Sequence, residues 1–557
     1  MAFDPSGEAR GPHRFSNPAS LRARPRGGVG NCQGQISIDR YAPIACGGRS
    51  DCSGAALALA WQEELGYPDM VSSRAGQVGK WVNPTLAKRE RIEESRERKG
   101  QMAFTSSELA ERTLQRRAVE AAIWGIPAVN YDAMYQAMVR DAKGSFNQLA
   151  YWSRPSDWKN QTLTPNTDAL YIMAFTNTKE VGPMVLEIPP ADEGTIVGTV
   201  MDCWQSALED VGPAGVDKGK GGKYLTLPPA YRGIAPPEYI VLPSPNYEGY
   251  ALLRSIPKSE NEADIAKAVA YLKRIRLYPL WAAGNPPQTT FLDVKDVVFD
   301  ANIPYDQRFF EGLDRIVQLE PWLDRDRVMI DMLKSIGIEK GRPFAPDAQT
   351  ADILKAAVQE AHEWLTAHYE SAYEPFYPGA HWFFPADPEF VDAIATSFKG
   401  SNAYPIDSRG TTYYYAFSSV KHMGAGQYYL FVTRDKSGHV LNGAKSYRLS
   451  VPPKVPVRQY WSATVYDFAT HALLRNLDRA SRSSLTEGLK TNADGSTDVY
   501  FGPKPPSGKQ SNWIPTRPGA RFEVLFRLYG PEKAVFDKTW RLPDIEELAA
   551  DQAQQAA

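Results

Sequence analysis

Asn166, Thr167 and Asp168 put an amide, a hydroxyl and a carboxylate on consecutive residues, inside Leu163-Thr164-Pro165-Asn166-Thr167-Asp168-Ala169-Leu170-Tyr171. Asn and Asp favour turns because their side chains bond nearby backbone groups. The text that follows reads as a strand, so the turn sits at a strand mouth, where a carboxylate can face a cavity. Asp168 is therefore a candidate general acid or base, with Asn166 and Tyr171 as ligand contacts. Arg409 and Tyr413 are the candidates to stabilise developing charge, or to grip a carboxylate or a sugar hydroxyl array. Thr411–Ser418 reads as a strand, with Arg409, Thr411, Tyr413 and Tyr415 on one face and Tyr414 on the other. An ordinary paired solvent face is the equal alternative. Trp461, Asn512 and Trp513 add polar-tipped aromatic and amide groups. Ligand pockets prefer domain interfaces, so Asp168 and Arg409 are expected to line one cavity; a structural ion pair at the junction is the rival reading.

Other chemistries are rejected on spacing. His362-Glu363 opens like a metalloprotease helix, but the next histidine is His368, and positions six apart do not share a helix face. In Lys218-Gly219-Lys220-Gly221-Gly222-Lys223-Tyr224 no lysine precedes Ser or Thr, which excludes a Walker A loop. The segment remains a basic Gly-rich loop, either holding an anion on its N–H groups or lying solvated on the surface. No G-x-S-x-G elbow occurs. Cys32, Cys46, Cys52 and Cys203 contain no C-x-x-C pair, so neither a metal cluster nor a disulfide framework is expected. No metal and no cofactor are expected.

At 557 residues the chain exceeds one ordinary core. Its 63 basic and 65 acidic residues leave a formal charge of −2, which gives no reason to expect nucleic acid as a partner. No apolar run of 18 residues exists, so no membrane-spanning helix is expected. The expected partner is a small-molecule ligand, with a homo-oligomer possible.

Residues 1–101 read as a disordered or mis-annotated leader: they are arginine-rich, lack lysine before Lys80 and show no helical or strand period. A reading frame called early, with Met70 or Met102 as the start, is favoured over a transit peptide, which is poor in acids. As written the chain is expected to be soluble and cytoplasmic; a start that restores a signal peptide makes it exported or periplasmic.

Regular structure begins near Thr105, where Thr105-Ser106-Ser107-Glu108 has capping-box spacing and opens a helix that Gly125 and Pro127 are expected to stop. Residues 102–300 read as a β-rich module, with strands at Thr195–Asp202, Tyr239–Leu242 and Tyr250–Arg254. A helical spacer, 301–400, follows; its stripes Val328/Met332/Ile336, capped by Asp324, and Leu354/Val358/Ala361/Leu365 are expected to be buried. Residues 401–557 form a second β-rich module, with strands at Thr411–Ser418, Tyr428–Thr433, Tyr460–Asp467, Asp498–Gly502 and Phe522–Tyr529. In the last, Phe522, Val524, Phe526 and Leu528 make the apolar face; Glu523, Arg527 and Tyr529 make the other. The fold class is α+β: two antiparallel β-sandwich modules of jelly-roll type, a helical spacer and an N-terminal helix.

The chain also resembles the family that pairs domains of unknown function 1254 and 1214 (DUF1254 and DUF1214). The first match runs from Asn130-Tyr131-Asp132 through Thr164–Tyr171 to Asp217–Leu225 and Leu227-Pro228-Pro229. The second runs from Tyr460-Trp461-Ser462 through Asn512-Trp513-Ile514-Pro515-Thr516 to Arg527-Leu528-Tyr529-Gly530-Pro531 and Asp537-Lys538-Thr539-Trp540, and Arg409-Gly410-Thr411-Thr412-Tyr413 also fits. Together they cover residues 105–545. The resemblance implies two β-sandwich modules with helices between them, and little chemistry; members often look exported. The function is thus left between a metal-independent hydrolase or lyase acting on a polar small molecule or carbohydrate, a non-catalytic small-ligand-binding protein, and a structural or assembly protein.

Overall fold

The structure, a computed structural model, describes residues 104–396, 398–400, 403–416, 420–422 and 426–549. The leader and Cys32, Cys46 and Cys52 lie outside the described residues. Thr105 and Glu108 form the anticipated capping box: Glu108 accepts the Thr105 backbone N–H at 2.7 Å, and Thr105 Oγ1 accepts that of Glu108 at 3.2 Å. The helix they open does not stop at Pro127 but spans Ser106–Arg140. Pro127 has no N–H for the carbonyl of Ile123. Side chains pack polar groups against this turn, as Gln205 donates to the Pro127 carbonyl at 2.8 Å and Arg409 donates to that of Trp124.

Six strands form the first large sheet, in the order Phe291–Asp293, Gln148–Tyr151, Leu170–Asn177, Glu248–Ser255, Ile196–Asp202, Ala207–Val211. Strand alternation sorts the run after the Asn-Thr-Asp turn. Leu170, Ile172 and Ala174 enter a core shared with the four-stranded sheet of Arg276–Pro279, Met184–Ile188, Gly222–Leu227 and Ile240–Pro243. Tyr171, Met173 and Phe175 pack into the core of the long helix. Both faces are therefore covered, and truncating such a buried side chain to Ala costs about 2–5 kcal/mol.

Helices Arg308–Leu319, Arg327–Leu333 and Ala348–Ser371 follow. Leu354, Val358, Ala361 and Leu365 are buried. The other stripe is a correction: Val328 is 68% exposed, while Ile336 is buried. The segment is broken into 3-10 (Asp324–Asp326), α (Arg327–Leu333) and 3-10 (Lys334–Ile336) turns, so a 3.6-residue period does not hold along it. Asp324 starts the first of these turns and makes no side-chain cap.

A second pair of sheets contains Gln427–Val432, Phe522–Tyr529, Trp461–Asp467 and Ser481–Ser483 in one, and Trp513–Pro515, Thr497–Gly502, Tyr447–Val451 and Glu546–Glu547 in the other. Phe522, Val524, Phe526 and Leu528 point into the core between them. The wholly antiparallel expectation is corrected: Phe291–Asp293, Ile240–Pro243 and Trp513–Pro515 pair in parallel, each at a sheet edge. The architecture is mixed α+β, and no described helix is long and apolar enough to cross a membrane.

Thr411–Ser418 is the main reversal. Ile406–Tyr415 is a helix with Arg409 to Tyr415 all buried. Thr and Tyr favour strands because they suit a half-buried pleated face, but here the threonine hydroxyls bond back to carbonyls four residues earlier, Thr411 to Asp407 at 2.9 Å and Thr412 to Ser408 at 2.8 Å. Asn130 of the long helix also donates to the Ala416 carbonyl at 3.0 Å. Tertiary packing overrides propensity.

Candidate functional site

A cavity of about 680 Å³ lies between the six-stranded sheet and the Gln427–Val432/Phe522–Tyr529 sheet, within the range of small-molecule sites. Three arginines line it, and two of them, Arg254 and Arg527, are buried. Arg254 is 8% exposed and is the register partner of Tyr171 on the neighbouring strand, with its guanidinium 5.1 Å from the tyrosine ring centre. Arg527 is 2% exposed and stands opposite Tyr429 in the same way, at 5.6 Å. Tyr171, Tyr429 and Tyr529 surround both guanidinium groups and also line the cavity. Each contact is a cation over an aromatic face, worth up to about 2 kcal/mol when desolvated.

The hydrogen-bond partners of Arg527 are neutral: Thr464 Oγ1 at 3.0 Å, the Thr164 carbonyl at 2.8 Å and Tyr466 Oη at 2.6 Å. Glu523 shares its strand face but is taken by His471 Nδ1 at 2.7 Å and the Tyr369 hydroxyl at 2.8 Å. Asp168 feels Arg527, whereas none of the main electrostatic influences on Arg254 is a carboxylate. Arg527 thus has one buried acid near it, and Arg254 has none among its main influences. At the mouth, Lys421 and Arg458 add further positive charge, while Asp210 is engaged by the backbone N–H groups of Lys421 and His422 at 2.9 and 2.7 Å.

The Asn-Thr-Asp turn forms as its residue types suggest: Asn166 Oδ1 accepts the Asp168 backbone N–H at 2.9 Å. The Asn166 amide donates to Tyr460 Oη at 2.8 Å and Tyr529 Oη at 2.7 Å, and its backbone N–H donates to Tyr171 Oη at 2.8 Å. Asn166 therefore sets the hydroxyls of two cavity tyrosines, one from each module. Thr164, at φ +42, turns its carbonyl to Arg527 and lines the cavity.

Asp168 and Arg409 are not among the cavity-lining residues, and they have different neighbours. Burial pushes the Asp168 carboxyl up to about 6, against the pull of Ser483 and Arg527. Arg409 instead donates to Tyr404 Oη and the Trp124 carbonyl, stacks over Trp204 at 5.2 Å, and acts on buried Asp202. In place of the expected Asp168–Arg409 pair, Asp168 feels Arg527, and Asp202 feels Arg325 first and Arg409 after it. Arg409 sits on a helix against the Pro127 turn, in place of the expected strand. Tyr413 is bound to the Gln205 carbonyl. Trp461 stacks on Phe526 in the second core at 5.5 Å. Asn512 bridges the carbonyls of Lys490 and Asp498 at 2.7 and 2.8 Å, and Trp513 donates to the Gly502 carbonyl at 2.9 Å. Of the named candidates only Tyr171 lines the cavity, with Asn166 behind it.

Arg254, Tyr429, Arg527 and Tyr529 were missed as a group. The available signal was a lone arginine in each of two otherwise apolar strands, Tyr250–Arg254 and Phe522–Tyr529 apart from Glu523. The Gly-rich loop at Lys218 wraps an anion of its own, since Asp217 accepts the N–H groups of Gly212 and Gly221 at 2.7 and 3.2 Å.

The Asp168 shift yields a pH test. An unfolded Asp titrates near 3.9 and the folded one at about 6, so the folded state binds more protons between those values. Asp168 therefore lowers stability as pH rises from about 4 to 6, by at most about 3 kcal/mol. Asp168→Asn should be more stable than the parent at pH 7.5 and indistinguishable at pH 4 in denaturant titrations. A variant less stable at pH 7.5 would refute this.

Two family models match the chain. That of the protein of unknown function DUF1254 covers residues 146–279, and that of the protein of unknown function DUF1214 covers 426–533. No curated protein matches. Among solved structures, the chain is similar to the VPA0106 protein from Vibrio parahaemolyticus, at 18% identity over 78% of this chain and 100% of that one, with a TM-score of 0.49. An uncharacterised protein from Burkholderia cenocepacia is similar at 13% identity over 78% and 94%, with a TM-score of 0.36. With the first domain supplying Tyr171 and Arg254 and the second supplying Tyr429, Arg527 and Tyr529, the chain belongs to the family that pairs DUF1254 with DUF1214.

Proposed function

We propose that the protein binds a small anionic molecule in the cavity between its two β modules. The observation that carries this reading is the pair of buried arginines, Arg254 and Arg527, lining one cavity, with no carboxylate among the main influences on Arg254 and with Asp168 near Arg527 alone. An unpaired buried cation is costly, and a bound carboxylate supplies its missing partner through charge-assisted hydrogen bonds. A second reading, a metal-independent hydrolase or lyase, is favoured by Asp168: a buried carboxyl held at about 6 beside Arg527 suits acid–base work near neutral pH. We also infer that each pair of sheets is a sandwich of jelly-roll type, supported by the single apolar core each pair shares, and that the chain can assemble into homo-oligomers.

Ligands that bind only the folded state raise its melting midpoint by mass action. Small carboxylates should therefore raise the midpoint of the full chain in a concentration-dependent way, and neutral sugars should not. Equal shifts from both classes, or none from carboxylates, would overturn the anion reading.

A further inference from the structure

The geometry points to an amphipathic ligand for this cavity: a carboxylate head held by Arg254 and Arg527, joined to an extended apolar body. This rests on the anion reading above and goes beyond it by naming the class of molecule. The two buried cations stand together in the part of the wall built from Tyr171, Arg254, Tyr429, Arg527 and Tyr529. Much of the remaining lining is hydrocarbon. The helix Pro388–Ala395 contributes Phe390, Val391 and Ile394, the segment before it contributes Phe384 and Pro385, and the first module contributes Val197, Val211 and Ile256.

Three features argue against this apolar wall being ordinary core. It encloses about 680 Å³ rather than closing on itself, whereas protein interiors leave few voids larger than a water. Val197 of the first module and Val391 of the helix Pro388–Ala395 both line the cavity and are only half-buried. Small residues, Ala214 and Gly426, line it, and a Cβ built on Gly426 would meet only that of Ala214, at 3.6 Å. A short polar anion would satisfy the arginines and leave this wall uncovered. A sugar would meet the wall with hydroxyls that find few partners there. A molecule with one charged end and a hydrocarbon body matches both surfaces together, and the basic residues Lys421 and Arg458 at the mouth favour entry of its anionic form.

The test is calorimetric titration of the full chain with acetate, decanoate and 1-decanol. Decanoate should bind at least about 100-fold tighter than acetate, since eight added carbons leave water, and also tighter than 1-decanol. Val391→Asn, and separately Val197→Asn, should weaken decanoate about tenfold or more; both sites are half-buried, so at least one variant is expected to fold. If acetate binds and decanoate binds no tighter, the amphipathic inference fails while the anion reading stands. If 1-decanol binds as tightly as decanoate, or no carboxylate binds at all, the anion reading itself fails and takes this inference with it. Undiminished decanoate affinity in both valine variants, each shown to be folded by circular dichroism, also overturns the inference.

Discussion

Replacing Arg254 with methionine should raise the melting midpoint of the ligand-free protein and remove the added stability that a carboxylate confers. Arg254 is 8% exposed, no carboxylate stands among its main electrostatic influences, and its Nε makes no hydrogen bond. Its stabilising contact is with the ring of Tyr171, which a thioether side chain of similar length also covers well. Exchanging buried charges for packed apolar side chains is often neutral or stabilising by about 1–4 kcal/mol. Ligand binding should move the other way: losing one member of a buried charged pair costs about 2–5 kcal/mol, on the order of 30- to several-thousand-fold in affinity. Opposite signs in one variant are hard to obtain from general damage. Paired thermal scans with and without decanoate measure both effects. A lower midpoint with the ligand shift intact would assign Arg254 to architecture.

Arg409→Met should do the reverse, losing about 3–5 kcal/mol of stability and keeping the ligand. Arg409 is 1% exposed, donates to the Trp124 carbonyl and Tyr404 Oη, and adds to the pull of Arg325 on Asp202, which burial already pushes above the ordinary carboxylate range. Without it a helix carbonyl beside the Pro127 turn and a buried phenol oxygen both lose a charged donor, and leaving buried polar groups unsatisfied is what makes such a change damaging. Denaturant unfolding measures the loss, and decanoate titration under native conditions measures what is retained. A variant of parental stability that no longer binds would return Arg409 to the site.

The contrast between these two arginines shows what the sequence exposed and what it concealed. Local rules were sufficient for the Thr105/Glu108 capping box, for the Asn166 turn and for strands such as Phe522–Tyr529, because each depends on residues a few positions apart. They failed for Pro127 and for Thr411–Tyr415, where the deciding contacts come from partners about 80 and 280 residues away: Gln205 for the proline carbonyl, and Asn130 for the end of the later helix. The site suffered from the same limit. Arg527 was correctly assigned to the face opposite Phe526, yet nothing near it in sequence reveals that this face is buried. The surface covering it carries Tyr171 and Arg254, from the other module. Arg409, next to threonines and tyrosines, presented more polar chemistry locally, and its folded partners turned out to be a backbone carbonyl and a phenol.

The cavity wall is assembled from residues 164–256 on one side and 384–530 on the other, with one buried arginine from each. On the proposed reading, neither domain alone encodes half a function that could be kept and improved separately. A recombination event that parted them would then discard the ligand site whole, and a substitution on one wall would change the value of every residue facing it. Selection for the proposed ligand would act on the two domains as one heritable unit, a physical reason for a single chain to carry both.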